Sequence, residues 1–149
     1  MAGKQLNNFI LIWDSNKVPN YKDGLVYTWN GYEEKKFIFS LLKYIETHGD
    51  RLRRKYLAWV HDLGEHQVLG KRVIDHLAFE DGFSFWWMTL FVEKSPWESS
   101  LIPEVIRFFA IEEILLKEKP ERVRFVSSNQ RMGKVLQDLC VALGIAYEW

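Results

Sequence analysis

The residues Phe9-Ile10-Leu11-Ile12-Trp13 form an unbroken apolar run that stops at Asp14-Ser15-Asn16. That pattern predicts a strand covered on both faces and ended by a turn. Pro19, Asn20, Asp23 and Gly24 mark residues 18–24 as a loop, and Leu25 to Trp29 reads as a short second strand. From Glu33 the spacing becomes helical, with Phe37, Leu41, Leu42 and Ile45 on one side and a stop at His48-Gly49. A second helix is expected from Asp50 to Leu63. Its apolar stripe is Leu52, Tyr56, Leu57, Trp59, Val60 and Leu63, with Asp50 to cap it and Gly64 to end it.

Val68-Leu69-Gly70-Lys71 reads as a turn, followed by a short helix around Val73 to Phe79 and a break at Asp81-Gly82. Phe83 to Lys94 is apolar almost all round and predicts a helix, with Ser84 near its start and Ser95-Pro96 as its stop. Pro103 suits the first turn of a helix reaching about Lys117, because an amide there has no intrahelical acceptor to lose. Lys119-Pro120-Glu121 ends that helix, and Arg122 to Ser127 reads as a strand. Ser128-Asn129 caps a helix to Leu143, and Gly144 ends it before a last strand, Ile145 to Trp149.

A strand, a helix and a strand in succession predict a parallel pair. The expected fold class is α/β: one domain over residues 1–149, with an open parallel Rossmann-like sheet of three or four strands and residues 33–94 as a mainly helical insertion. The last strand runs out at Trp149, where an open α/β sheet normally places a ligand loop. The chain is therefore expected to be the amino-terminal part of a longer protein.

Composition narrows the function classes. Twenty basic and twenty acidic side chains cancel, so no long-range field gathers a polyanion, and nucleic acid is not an expected partner. The basic run Arg51, Arg53, Arg54 and Lys55 reads as a solvated helix face. No apolar run approaches the roughly eighteen residues of a membrane span, and the opening residues lack a charged-then-apolar leader pattern. The single Cys140 forms no internal disulfide, points to a reducing compartment, and falls at helical spacing with Val135, Leu136, Leu139 and Leu143 as a core thiol. His48, His61, His66 and His76 lack metal-ligand spacing, so no metal and no cofactor is expected.

Ligands of an open parallel sheet sit outside the carboxyl ends of its strands. The turns after Trp13 and Val126 therefore supply the first candidates: Asp14 as a base, and Lys17, Ser127, Asn129 and Arg131 as substrate contacts. The second turn also opens a helix, whose free amides favour a phosphate or a sugar hydroxyl; simple capping is the competing use. Trp86 and Trp87 are candidate faces for a sugar ring, against core packing as the alternative. Glu80 and Glu93 are further candidate bases and Lys94 a partner for phosphate charge, against surface ion pairing. No GxGxxG or GxxxxGK[ST] pattern occurs, so nucleotide binding by this segment itself is not expected.

The stretches Trp59-Val60-His61-Asp62-Leu63-Gly64-Glu65, Gly70-Lys71, Gly82-Phe83-Ser84-Phe85-Trp86-Trp87-Met88-Thr89-Leu90 and Glu93-Lys94-Ser95 resemble a family of bacterial surface-carbohydrate biosynthesis proteins. The resemblance spans roughly Trp59 to Trp149. It implies glycosyltransferases of O-antigen and capsule assembly with two Rossmann-like domains, the GT-B arrangement. On that pattern this chain supplies the side that takes a saccharide or lipid-linked saccharide acceptor, and an absent carboxyl-terminal domain grips the nucleotide-sugar donor. The place implied is cytoplasmic, at most peripheral to the inner membrane. A non-catalytic interaction module built on the aromatic segment 83–97 is the alternative from another class.

Overall fold

The computed structural model describes residues 8–15, 17, 21, 23–89 and 101–149. In chain order the strands are β1 (Phe9–Trp13), β2 (Leu25–Thr28), β3 (Ile38–Ser40), β4 (Gln67–Val68), β5 (Lys71–Arg72), β6 (Arg122–Val126) and β7 (Ala146–Glu148). The helices are α1 (Leu41–Thr47), α2 (Gly49–Glu65), α3 (Val73–His76), α4 (Leu101–Glu118) and α5 (Gln130–Ala142), with a 3₁₀ turn at Phe85–Met88. The chain gathers into two compact units, Met1–His48 with Ala110–Trp149, and Gly49–Phe109.

The first unit holds an open α/β sheet in the order β3-β2-β1-β6-β7, every neighbour parallel. Central β1 is covered on both faces, with Ile10 and Ile12 wholly buried on one and Leu11 on the other. This is why its sequence is continuously apolar rather than alternating. Cross-strand partners share a face, so Leu11, Val26 and Ile38 form one cluster, with Phe9, Trp13, Tyr21 and Val126 packed around it. Gly144, at φ +70, turns the chain out of α5, and Ile145 N bonds back to Cys140 O at 2.9 Å. The left-handed conformation suits a residue without Cβ, and the helix ends where the sequence places its stop.

Five strands replace the expected three or four, and the additional one lies inside the segment read as a helix from Glu33. Residues 33–37 are not helical, β3 follows, and α1 begins only at Leu41. Two local causes account for this. Phe37 sits at φ 68, outside any helix, and its carbonyl accepts from Val26 N at 2.8 Å. Ser40 then caps α1 by accepting from Lys43 N at 3.2 Å. The apolar residues that mimic a helical stripe, Phe37 and Leu41, flank a strand instead.

The second unit is mainly helical. On α2 the buried residues are Leu52, Tyr56, Val60 and Gly64, while Leu57, read as part of the stripe, is 38% exposed. Arg51, Arg53 and Arg54 face solvent, and Lys55 lies 5.1 Å from the Phe109 ring centre. β4 and β5 form a two-residue hairpin around Leu69 and Gly70, both at positive φ, as the right-handed twist of paired strands requires. Tyr56, Val60, Trp86 and Ile102 make the core, packed by Trp59, Leu63, Ile74, Leu77, Val105 and Phe109. The helix expected from Phe83 to Lys94 is, in its described part, the single 3₁₀ turn, capped when Ser84 Oγ accepts from Trp86 N at 3.3 Å; residues 90–100 lie outside the described residues. No described helix is long and apolar enough to cross a membrane.

Candidate functional site

Chain order reverses across the sheet between β1 and β6, and such a switch point opens a crevice at the carboxyl ends of the strands. Trp13 pairs with Val126 there, and Asp14 N donates to Val126 O at 2.9 Å. The register places the first residues beyond β1, β2 and β6 side by side.

Asp14 is the hub of this edge. Its Oδ2 accepts from Ser127 Oγ at 2.7 Å and its Oδ1 from Asn30 Nδ2 at 2.9 Å. Ser127 Oγ in turn accepts from Asn129 N at 3.0 Å, and Asn129 Oδ1 accepts from Met132 N at 3.2 Å, which starts α5. Capping, the competing use of Asn129, is thus realised. Trp149 Nε1 donates to Ser127 O at 3.1 Å, while its indole, 60% exposed, lies against Gly133. A Cβ at Gly133 would stand 3.4 Å from that ring, so the glycine admits the indole. The Tyr147 hydroxyl donates to Gly133 O at 3.0 Å, and burial, with Cys140 adding to it, pushes this phenol up to about 12.

A carboxylate fixed by one donor on each oxygen still has lone pairs with which to accept further donors. Such a group orients a ligand hydroxyl, and as a base it would act only on a hydroxyl brought within hydrogen-bond reach. Among the described residues no group of three or more His, Cys, Asp or Glu side chains is placed to hold a metal ion.

The sequence-derived candidates divide by unit. Asp14, Ser127 and Asn129 are brought into one hydrogen-bonded chain, with Lys17 and Arg131 exposed on the flanking segments. Lys17 offers its backbone carbonyl to Trp13 Nε1. Glu80, Trp86 and Trp87 belong to the second unit. Glu80 is exposed in the turn between Phe79 and Phe83, whose rings stack 6.4 Å apart. Trp86 is 4% exposed and packs against Gly64 in the core, so it offers no face to a ligand, whereas Trp87 is 56% exposed. Glu93 and Lys94 lie outside the described residues, as do Asn16, Pro19 and Asn20. Asn30 and Trp149 are additions from the structure. Asn30 follows the strand read at Leu25 to Trp29 as Asp14 follows Phe9 to Trp13, and that parallel was the signal available in the sequence.

Compared with known proteins, the chain matches no family model, no curated sequence and no solved structure.

Proposed function

We propose that this chain is the acceptor-side, Rossmann-like lobe of a GT-B glycosyltransferase of bacterial surface-polysaccharide assembly, working at the cytoplasmic side with a second lobe that grips the nucleotide-sugar. One observation carries the reading: Asp14, pinned between Ser127 and Asn30, stands at the switch point of a parallel sheet. Pinned carboxylate, amide and hydroxyl groups suit the hydroxyls of a saccharide, and the missing glycine-rich loop leaves the nucleotide to another lobe. The strand order β3-β2-β1-β6-β7 follows the dinucleotide-fold order as far as five strands go, which supports the Rossmann-like reading.

The test is an NMR titration of the isotope-labelled chain with oligosaccharide fragments of O-antigen type and, separately, with uridine diphosphate. Saccharide is expected to shift the amides of Asp14, Asn30, Ser127 and Asn129, and the chain alone to neither transfer nor hydrolyse a nucleotide-sugar. Shifts with the diphosphate at these amides and none with saccharide would overturn the reading.

A second reading, a non-catalytic interaction module, is favoured by the exposure of Phe79, Phe83, Phe85, Trp87 and Met88 within ten residues of chain. Solvent-facing aromatics so close together are a common basis for docking a partner. Retention of saccharide binding after Trp87→Ala, together with loss of a co-purifying partner, would separate this role from the first.

A further inference from the structure

A cavity of about 580 Å³ opens in the first unit, within the volume typical of small-ligand sites, about 300–1,000 Å³. Its floor is the stacked pair Tyr27 and Phe39, neighbours on β2 and β3 with ring centres 5.4 Å apart. Tyr44 and His48 of α1, stacked at 4.1 Å, form a second aromatic surface. Glu118, near the end of α4, also borders it. None of these residues takes part in the hydrogen-bonded edge around Asp14.

Tyr27 makes this cavity more than a packing defect. The residue is 7% exposed, yet its hydroxyl finds no hydrogen-bond partner among the described residues. The ring is packed away while the hydroxyl, without a protein partner, opens onto the cavity it lines, where it can donate to a ligand atom. Burial above all, with the nearby Glu118 carboxylate and Tyr44 adding to it, pushes the Tyr27 phenol well above its ordinary range. It therefore stays a donor at any physiological pH. Phe37, which also lines the cavity, holds a left-handed backbone at φ 68; strain of that kind in a bulky residue gathers at functional sites.

Charge decides the ligand class. Lys43 Nζ lies 3.0 Å from Glu34, and Lys117 Nζ lies 3.6 Å from Glu118, so each cation bordering the cavity faces a carboxylate. An anionic phosphate would find no surplus positive charge. A pyranose ring is neutral, stacks its C–H face on an aromatic plane, and offers hydroxyls that both accept and donate. We propose that this cavity binds a neutral saccharide ring, stacked on the exposed Phe39 face, accepting from the Tyr27 hydroxyl and donating to the Glu118 carboxylate. The inference does not rest on the edge around Asp14.

The test is an NMR titration of the full chain with methyl α-D-glucoside, methyl α-D-galactoside and methyl α-D-mannoside, against inorganic phosphate and uridine monophosphate as anionic controls. At least one glycoside is expected to shift the amides of Tyr27, Phe39, Tyr44 and Glu118 in the millimolar range, and the anions to leave them unmoved. Tyr27→Phe should weaken that binding about three- to tenfold, the worth of one neutral hydrogen bond. It should leave the melting temperature unchanged or raised, since the lost hydroxyl had no protein partner. Glu118→Gln should weaken binding in the same direction. No shift with any glycoside, equal binding by Tyr27→Phe, or a preference of these residues for phosphate would each overturn the inference. Glycoside shifts confined to Asp14, Asn30 and Ser127 would overturn it too, while leaving the acceptor-side reading intact.

Discussion

The Ser127 hydroxyl donates to Asp14 Oδ2 at 2.7 Å across 113 positions of sequence. The bond fastens the outlet of β6 to that of β1. Because Ser127 Oγ also accepts from Asn129 N, the residue that caps α5, the hydroxyl helps set where α5 starts. Truncation on either side should therefore be felt on the other. In a double-mutant cycle with Asp14→Ala and Ser127→Ala, the coupling energy is expected at about 1.5–3 kcal/mol, the range for a hydrogen bond to a charged group. Urea unfolding of the four proteins measures it, and additive effects would mean that the bond does not hold the edge together.

The two adjacent tryptophans should behave as opposites. Trp86→Ala empties a core shared with Tyr56, Val60 and Ile102 and is expected to cost about 3–5 kcal/mol. Trp87→Ala, on an exposed position, should stay within about 0.5 kcal/mol. Denaturant midpoints followed by circular dichroism distinguish them, and equal losses would contradict the assigned packing.

Gly64→Ala tests how closely α2 meets that core. Alanine inside a helix ordinarily gains about 0.5–1 kcal/mol over glycine. Here the new Cβ would stand 3.0 Å from Trp86 Nε1, in the middle of a buried indole rather than at the tip of a flexible chain. Overpacking should prevail, with a net loss of about 1–2 kcal/mol and a shifted tryptophan emission. A stabilised variant would show that the indole has room to move.

Cys140 is wholly buried, and burial pushes its thiol from an ordinary value near 9.0 up to about 11. The folded state thus holds its proton where the unfolded chain releases it. The associated stability is complete below about pH 9 and falls as pH rises through about 11. Cys140→Ala should lose stability at neutral pH, through the cavity, yet show a shallower decline above pH 9. Thiol-specific reagents at pH 8 should modify the native chain only as fast as it unfolds, and rapid labelling of the folded protein would refute the burial.

Much of the fold was legible because single positions carried unambiguous signals. The two-sided apolar run of β1, the asparagine before α5 and the glycine after it each have one economical structural meaning, and the parallel sheet follows from their order. β3 was not legible, since three residues are too few to show a period and Ile38-Phe39 merges into the helical spacing of Leu41, Leu42 and Ile45. The segment from Phe83 misled for a related reason. Its apolar content described exposed aromatics around one buried tryptophan, and periodicity cannot tell that from a helix buried all round. At the edge around Asp14, residue type and position after a strand sufficed for Asp14, Ser127 and Asn129. The indole of Trp149 and the orphaned hydroxyl of Tyr27 depend on contacts distant in sequence, which local pattern does not encode.

Both margins of the sheet are minimal: β3 and β7 have three residues each. A margin this brief offers an incoming strand few amides and carbonyls to template on, and β7 carries Glu148 locked to Arg122 and Arg124 beside it. Edge-to-edge association, the usual route from an open sheet to fibrils, is thereby disfavoured without a covering helix. Concentrated solutions of the chain should resist amyloid-type aggregation for that reason, and lengthening either margin by design would surrender the protection.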